Sequence, residues 1–77
     1  MAKKELSNSK DQQIHDALQV DYEALNEKGY DAVAQLSGFI LSDDEHYLTF
    51  HKNARQIMRE QDREEILKYL IRYYFEN

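Results

Sequence analysis

Proline is absent from this 77-residue chain, and glycine occurs only at Gly29 and Gly38. Those two residue types are the strongest local interrupters of regular backbone. Helices can therefore run long here, and apolar residues recurring every three or four positions supply the matching pattern. Ile14, Leu18, Tyr22 and Leu25 predict a first helix from about Asp11 to Lys28. Lys28-Gly29 stops it, with a cation in the last turn and glycine at the left-handed position. Asp31 is a good N-cap for a second helix, whose stripe is Val33, Leu36, Phe39 and Ile40 and whose end is near Leu41. Gly38 inside it costs about 1 kcal/mol against alanine, which a close helix–helix approach would justify.

Ser42-Asp43-Asp44-Glu45 has the form of a capping box, serine at N-cap and glutamate at N3, opening a short helical turn through His46-Tyr47. Leu48, Thr49 and Phe50 read as a connection that packs through Leu48 and Phe50. Asn53 is placed to cap a third main helix, Ala54 to about Glu60, with Ile57 and Met58 inward. The apolar phase shifts after it, and Asp62 with Glu65 resembles a further cap. This predicts a break near Gln61-Asp62. The last helix, about Arg63 to Phe75, is expected to bury Ile66, Leu67, Leu70, Ile71 and Tyr74. The fold class is all-α: a compact bundle of four main helices plus a short helical turn. Residues 1–10 are polar and charged and read as a flexible tail, leaving 11–77 as a single helical domain.

A domain of this length buries only about 60–65% of its unfolded surface. No cysteine is present to staple it. Six tyrosines and three phenylalanines, many near the C-terminus, would be covered by pairing two copies. A homodimer is the expectation, with Tyr69, Tyr73, Tyr74 and Phe75 as core and dimer contacts. No apolar run reaches the roughly 18 residues that cross a bilayer, and the opening Met1-Ala2-Lys3-Lys4-Glu5-Leu6 lacks the apolar core of a secretory signal. A cytoplasmic protein without membrane contact is expected.

The formal net charge is −5, which works against nonspecific nucleic-acid binding. Within this acidic chain, Arg55, Arg59 and Arg63 recur at four-residue intervals, preceded by Lys52. On a helix such residues stand one turn above another, and guanidinium groups offer planar donor forks to carboxylate or phosphate. Two readings stay open: a docking surface for an anionic partner, or a solvated face paired to Glu60, Asp62 and Glu64. A third has the arginines gripping a dimer mate. A small nucleic-acid binder, with 54–63 as its recognition helix, is the alternative from another class.

The remaining chemistry is sparse. His46 and His51 are five apart, which matches no common helical ligand pair, so no metal is expected. Asp43, Asp44 and Glu45 lack the alternate ligands and central glycine of a calcium loop and suit a helix start. Ser7 and Ser9 lie in the tail, where a kinase has access and a phosphate would add about −1.5 to −2 charge. No phosphate loop, nucleophile–base pair or cofactor motif is present, so the chain reads as a non-enzyme with no cofactor.

The run Tyr22-Glu23-Ala24-Leu25-Asn26-Glu27-Lys28-Gly29-Tyr30, followed by Gln35, Gly38 and Leu41-Ser42, resembles the central motif of the IreB/ReoM family. A second block is similar too: His51-Lys52-Asn53-Ala54-Arg55, Arg59, Arg63-Glu64-Glu65-Ile66, Leu70, Arg72 and Tyr74. The resemblance implies a small, cytosolic, all-helical homodimer of Gram-positive bacteria. It implies phosphorylation by a membrane Ser/Thr kinase with PASTA repeats, reversed by a phosphatase, and regulation of cell-wall synthesis. In one branch of the family the unmodified protein promotes Clp-dependent degradation of a UDP-N-acetylglucosamine carboxyvinyltransferase, so an acidic client or protease machinery is an implied partner. By motif, Arg55, Arg59 and Arg63 match the family's functional arginine row. The chain departs from the pattern in three places. No threonine precedes Ile14, so the family phosphosite does not carry over and Ser7 or Ser9 would have to substitute. An Asn-Pro-x-Asn-Gln segment becomes Asp31-Ala32-Val33-Ala34-Gln35. A proline-containing loop becomes Asp43-Asp44-Glu45-His46-Tyr47-Leu48-Thr49-Phe50, with Phe50 where the family carries a further arginine.

Overall fold

The computed structural model describes residues 9–76. Four α-helices follow one another among them: α1 Ser9–Glu27, α2 Ala32–Ser42, α3 Ala54–Arg59 and α4 Arg63–Glu76. Two 3-10 turns, Glu45–Tyr47 and His51–Asn53, sit between α2 and α3. Helix α1 begins at Ser9, two residues before the expected start, and residues 1–8 of the expected tail lie outside the described residues.

The α1–α2 junction follows the local chemistry. Gly29 takes φ +87°, the Tyr30 amide donates to Leu25 O at 3.0 Å and the Gly29 amide to Asn26 O at 3.0 Å. This is the paired closure of a Schellman motif. Asp31 then caps α2, its carboxylate accepting from the Ala34 amide at 3.1 Å. Asp62 does the same for α4, accepting from the Glu64 and Glu65 amides at 2.8 and 3.3 Å, and separates it from α3 at the expected break.

Two expected caps are different. Ser42 does not open a capping box: its Oγ donates to Gly38 O at 2.7 Å and accepts from the Asp44 amide at 3.1 Å, which closes α2. Asp44 caps the first 3-10 turn instead, accepting from the His46 amide at 2.9 Å. Asn53 makes no side-chain cap and sits left-handed at φ 61°, directly after Lys52 at φ 57°. Two successive left-handed residues reverse the chain into α3. The Arg55 amide is satisfied by Thr49 O at 2.9 Å, so a backbone carbonyl takes the role expected of the asparagine.

Helix α1 packs on α2, α3 and α4, and the core is Ile14, Ala17, Phe39, Leu48, Met58, Ile66 and Tyr69. The stripe of α1 is rotated from its expected place. Ile14, Ala17, Asp21, Ala24 and Leu25 are buried, whereas Tyr22 is half exposed. Val33 and Phe50 also face outward, and only Leu48 of the connection is buried. Helix α4 departs most. Ile66 and Tyr69 are buried, but Leu67, Leu70, Ile71 and Tyr74, expected inside, are exposed, as is Phe75. The inner face of α4 is instead completed by polar contacts to α1. The Tyr69 hydroxyl and His15 Nδ1 lie 2.8 Å apart, and Arg72 Nη2 donates to Asp11 Oδ1 at 3.0 Å. Gly38 admits a side chain rather than a helix: a Cβ there would lie 2.6 Å from Cδ1 of the Tyr47 ring.

Candidate partner-binding surface

Arg55 and Arg59 stand one turn apart on α3, and Arg63 opens α4 beyond the Asp62 break. All three turn toward the segment joining α2 to α3, and each is held there. Arg55 Nη2 donates to Leu48 O at 2.9 Å, and its guanidinium carbon stacks 3.9 Å from the centroid of the Phe50 ring, a cation–π geometry. Its Nε is buried without a hydrogen-bond partner among the described residues. Arg59 Nε pairs with Glu45 Oε1 at 3.3 Å. Arg63 Nη1 donates to Ile40 O at 2.7 Å while its Nε pairs with Asp43 Oδ1 at 3.3 Å.

The acids named from local spacing are engaged elsewhere. Glu60 accepts from Gln56 Nε2 at 3.1 Å, Asp62 caps α4, and Glu64 pairs with Lys68 at 3.3 Å. Arg59 and Arg63 are instead paired by acids from the α2–α3 connection, far off in the chain, which helix spacing cannot show. Arg59 and Glu45 line two adjacent shallow clefts. One is shared with Phe50, Asn53, Arg55 and Gln56, the other with Phe39, Asp43 and Gln61.

Lys52 is drawn to the end of α1. Its Nζ meets Glu27 Oε2 at 2.9 Å, and His51 Nε2 meets Glu27 Oε1 at 2.7 Å. The two hydrogen bonds, from Lys52 first and His51 second, hold the Glu27 carboxyl below its ordinary range, and Glu27 raises Lys52 in return. His46 Nδ1 lies 2.9 Å from Asp44 Oδ1. Hydrogen bonds from the backbone and then the side chain of His46 lower Asp44. The two histidines thus serve separate carboxylates. Ser7 lies outside the described residues, and Ser9 is the first residue of α1.

One group escapes a pattern reading. Asp21 is fully buried, and neither of its oxygens has a hydrogen-bond partner among the described residues; burial pushes its carboxyl up to about 7. The signal is present in the spacing Ile14, Ala17, Asp21, Ala24, which is a helical stripe once alanine counts as core.

A model described as the IreB regulatory phosphoprotein matches residues 2–76 of this chain. Among its relatives is a UPF0297 protein of Lachnoclostridium phytofermentans, 44% identical over 64 residues that span 83% of this chain and 73% of the relative. Another, from Ruminiclostridium cellulolyticum, is 40% identical over 72 residues, 94% of this chain and 82% of the relative. A third, from Clostridioides difficile, is 44% identical over 61 residues, 79% and 72% of the two chains.

Proposed function

The chain belongs to the IreB family of regulatory phosphoproteins, and from that premise we propose that it is a non-enzymatic cytosolic adaptor. It links a Ser/Thr kinase to control of cell-wall synthesis through regulated turnover of an acidic client, a peptidoglycan precursor enzyme. The observation that carries the reading is the family match over residues 2–76. It is supported by the convergence of Arg55, Arg59 and Arg63 on one side of the molecule. Arg59 and Arg63 are the gripping residues, because their side chains stay partly exposed, at 52% and 38%. Arg55 positions the 48–50 segment beneath them through Leu48 O and Phe50. Charge-assisted pairs of this kind give specificity and orientation more than raw affinity.

Phosphate on Ser7 or Ser9 would place new negative charge on the chain and compete with an acidic client. Incubation with a PASTA-repeat kinase and mass spectrometry tests that control, and an unmodified chain would make it a phosphorylation-independent member. For docking, the Arg59→Gln/Arg63→Gln variant is used in affinity capture from native cytoplasm, with circular dichroism confirming its fold. Loss of the captured client is expected. Full retention by a folded variant would remove the arginines from the interface.

A further inference from the structure

The three arginines are not bare: two of them already hold carboxylates, and both carboxylates come from the short segment that leads from the end of α2 into the first 3-10 turn. Asp43 pairs with Arg63 Nε and Glu45 with Arg59 Nε, each at 3.3 Å. The acid between them is committed elsewhere, since Asp44 Oδ1 caps the first 3-10 turn and meets His46 Nδ1 at 2.9 Å. An acid-x-acid unit therefore lies across two arginines four residues apart, one ending α3 and the other opening α4. We propose that this turn is an internal stand-in for the client, an autoinhibitory contact in which Asp43 and Glu45 occupy the arginines that a client segment carrying two carboxylates one residue apart must take over.

The inference rests on the arginine-docking reading above and adds how that surface is masked. Two observations make the exchange feasible. Both ion pairs are partly solvated, with Asp43 66% and Glu45 43% exposed at the side chain, and exposed pairs are individually weak. Arg63 is held independently of its acid by the 2.7 Å bond to Ile40 O, and Arg55 by the 2.9 Å bond to Leu48 O. Displacement of the two acid side chains, with the turn's backbone still anchored through Tyr47 O, thus leaves the guanidinium of Arg63 oriented and the floor of the surface in place. A pre-set donor array loses less ordering entropy when the incoming carboxylates arrive. An intramolecular acid acts at high effective concentration, so a client has to present more than charge alone, and random acidic surfaces are rejected.

The test uses the full chain, with hexaglutamate peptide as the probe. Binding is followed by the Nε–H resonances of the arginines. The variant is Asp43→Asn/Glu45→Gln. Asparagine tolerates the left-handed backbone at position 43, φ 63°, so the end of α2 is kept. A control of equal charge change, Glu23→Gln/Glu76→Gln, accounts for the net charge. The expected result is that the unmasked variant binds about tenfold tighter than wild type. The control should change affinity less than twofold, and Arg59→Gln/Arg63→Gln in the unmasked background should abolish binding. Equal affinities of wild type and the unmasked variant, with the arginine substitutions still weakening both, would overturn the masking while leaving the docking reading intact. No response of Arg59 and Arg63 to the peptide even when unmasked would overturn both.

Discussion

Asp21 shows how one residue sets the pH behaviour of the molecule. Its carboxyl is raised from 3.8 to about 7 by burial, so the folded state holds this proton over a range where the unfolded chain has released it. Stability from this group is complete below about pH 4, declines as pH rises, and levels off above about pH 7. The loss is on the order of a few kcal/mol, because each pH step between the unfolded and folded values is worth about 1.4 kcal/mol. Glu27 and Asp44 act with the opposite sign, since their values are lowered: their contribution is present at neutral pH and lost as pH falls through those values. Thermal denaturation should therefore show a maximum Tm in the mildly acidic range. Asp21→Asn is expected to raise Tm at pH 8, change little at about pH 4, and flatten the slope between. An unchanged slope would mean that Asp21 stays ionised inside. Hydrophobic residue type alone assigns this face to Tyr22, because aspartate is so seldom buried unpaired. Asp21 lies between the buried alanines Ala17 and Ala24 on one face of α1, small side chains that a hydropathy pattern does not count as core.

At the level of elements, caps and breaks were legible and the geometry of the 42–53 connection was not. Asp31, Asp62 and Gly29 act within a few residues of themselves, so their roles follow from local backbone chemistry. Asn53 fails as a cap because the tertiary path brings Thr49 O to the Arg55 amide, a contact across the connection. The Asp62 cap predicts its own test. Asp62→Ala frees two amide donors at the start of α4 and should cost about 1 kcal/mol, read as a lower urea midpoint with unchanged slope. Gly38→Ala sets two effects against each other. Alanine gains up to about 1 kcal/mol of helix propensity, but its Cβ drives into the Tyr47 ring. That ring belongs to the 3-10 turn whose carbonyl at Tyr47 is held by Gln35 Nε2 at 2.9 Å. Displacing it costs roughly 1–3 kcal/mol, so a net loss of about 1 kcal/mol is expected, together with a shift of the Tyr47 ring resonances. A net gain would show that the ring swings out freely. The arginine row is the same lesson on the functional side: α3 spacing put Arg55 and Arg59 together, while their partners Leu48 and Glu45 required the fold.

For the whole molecule, the decisive fact is that α4 is apolar on two sides. Ile66 and Tyr69 face α1 and the core, while Leu67, Leu70, Ile71 and Tyr74 recur at helical spacing on surface left open, flanked by Phe75. A contiguous stripe of this kind on a small domain marks an interaction face. The homodimer proposed from composition has a natural seam here, because two copies of one stripe satisfy the self-complementarity that a two-fold interface demands. The expectation is a species of twice 9.2 kDa in sedimentation at micromolar concentration, with a Tm that rises with protein concentration. Ile71→Glu puts a charge at the middle of the stripe without touching the core, since Ile71 is 51% exposed. It should give a folded monomer whose Tm no longer depends on concentration. Wild-type protein sedimenting only at 9.2 kDa would reassign the stripe to a different partner. A variant that stays dimeric would move the seam off the exposed stripe of α4, leaving these side chains to be covered by another protein, whose docking the substitutions at Arg59 and Arg63 would then leave untouched.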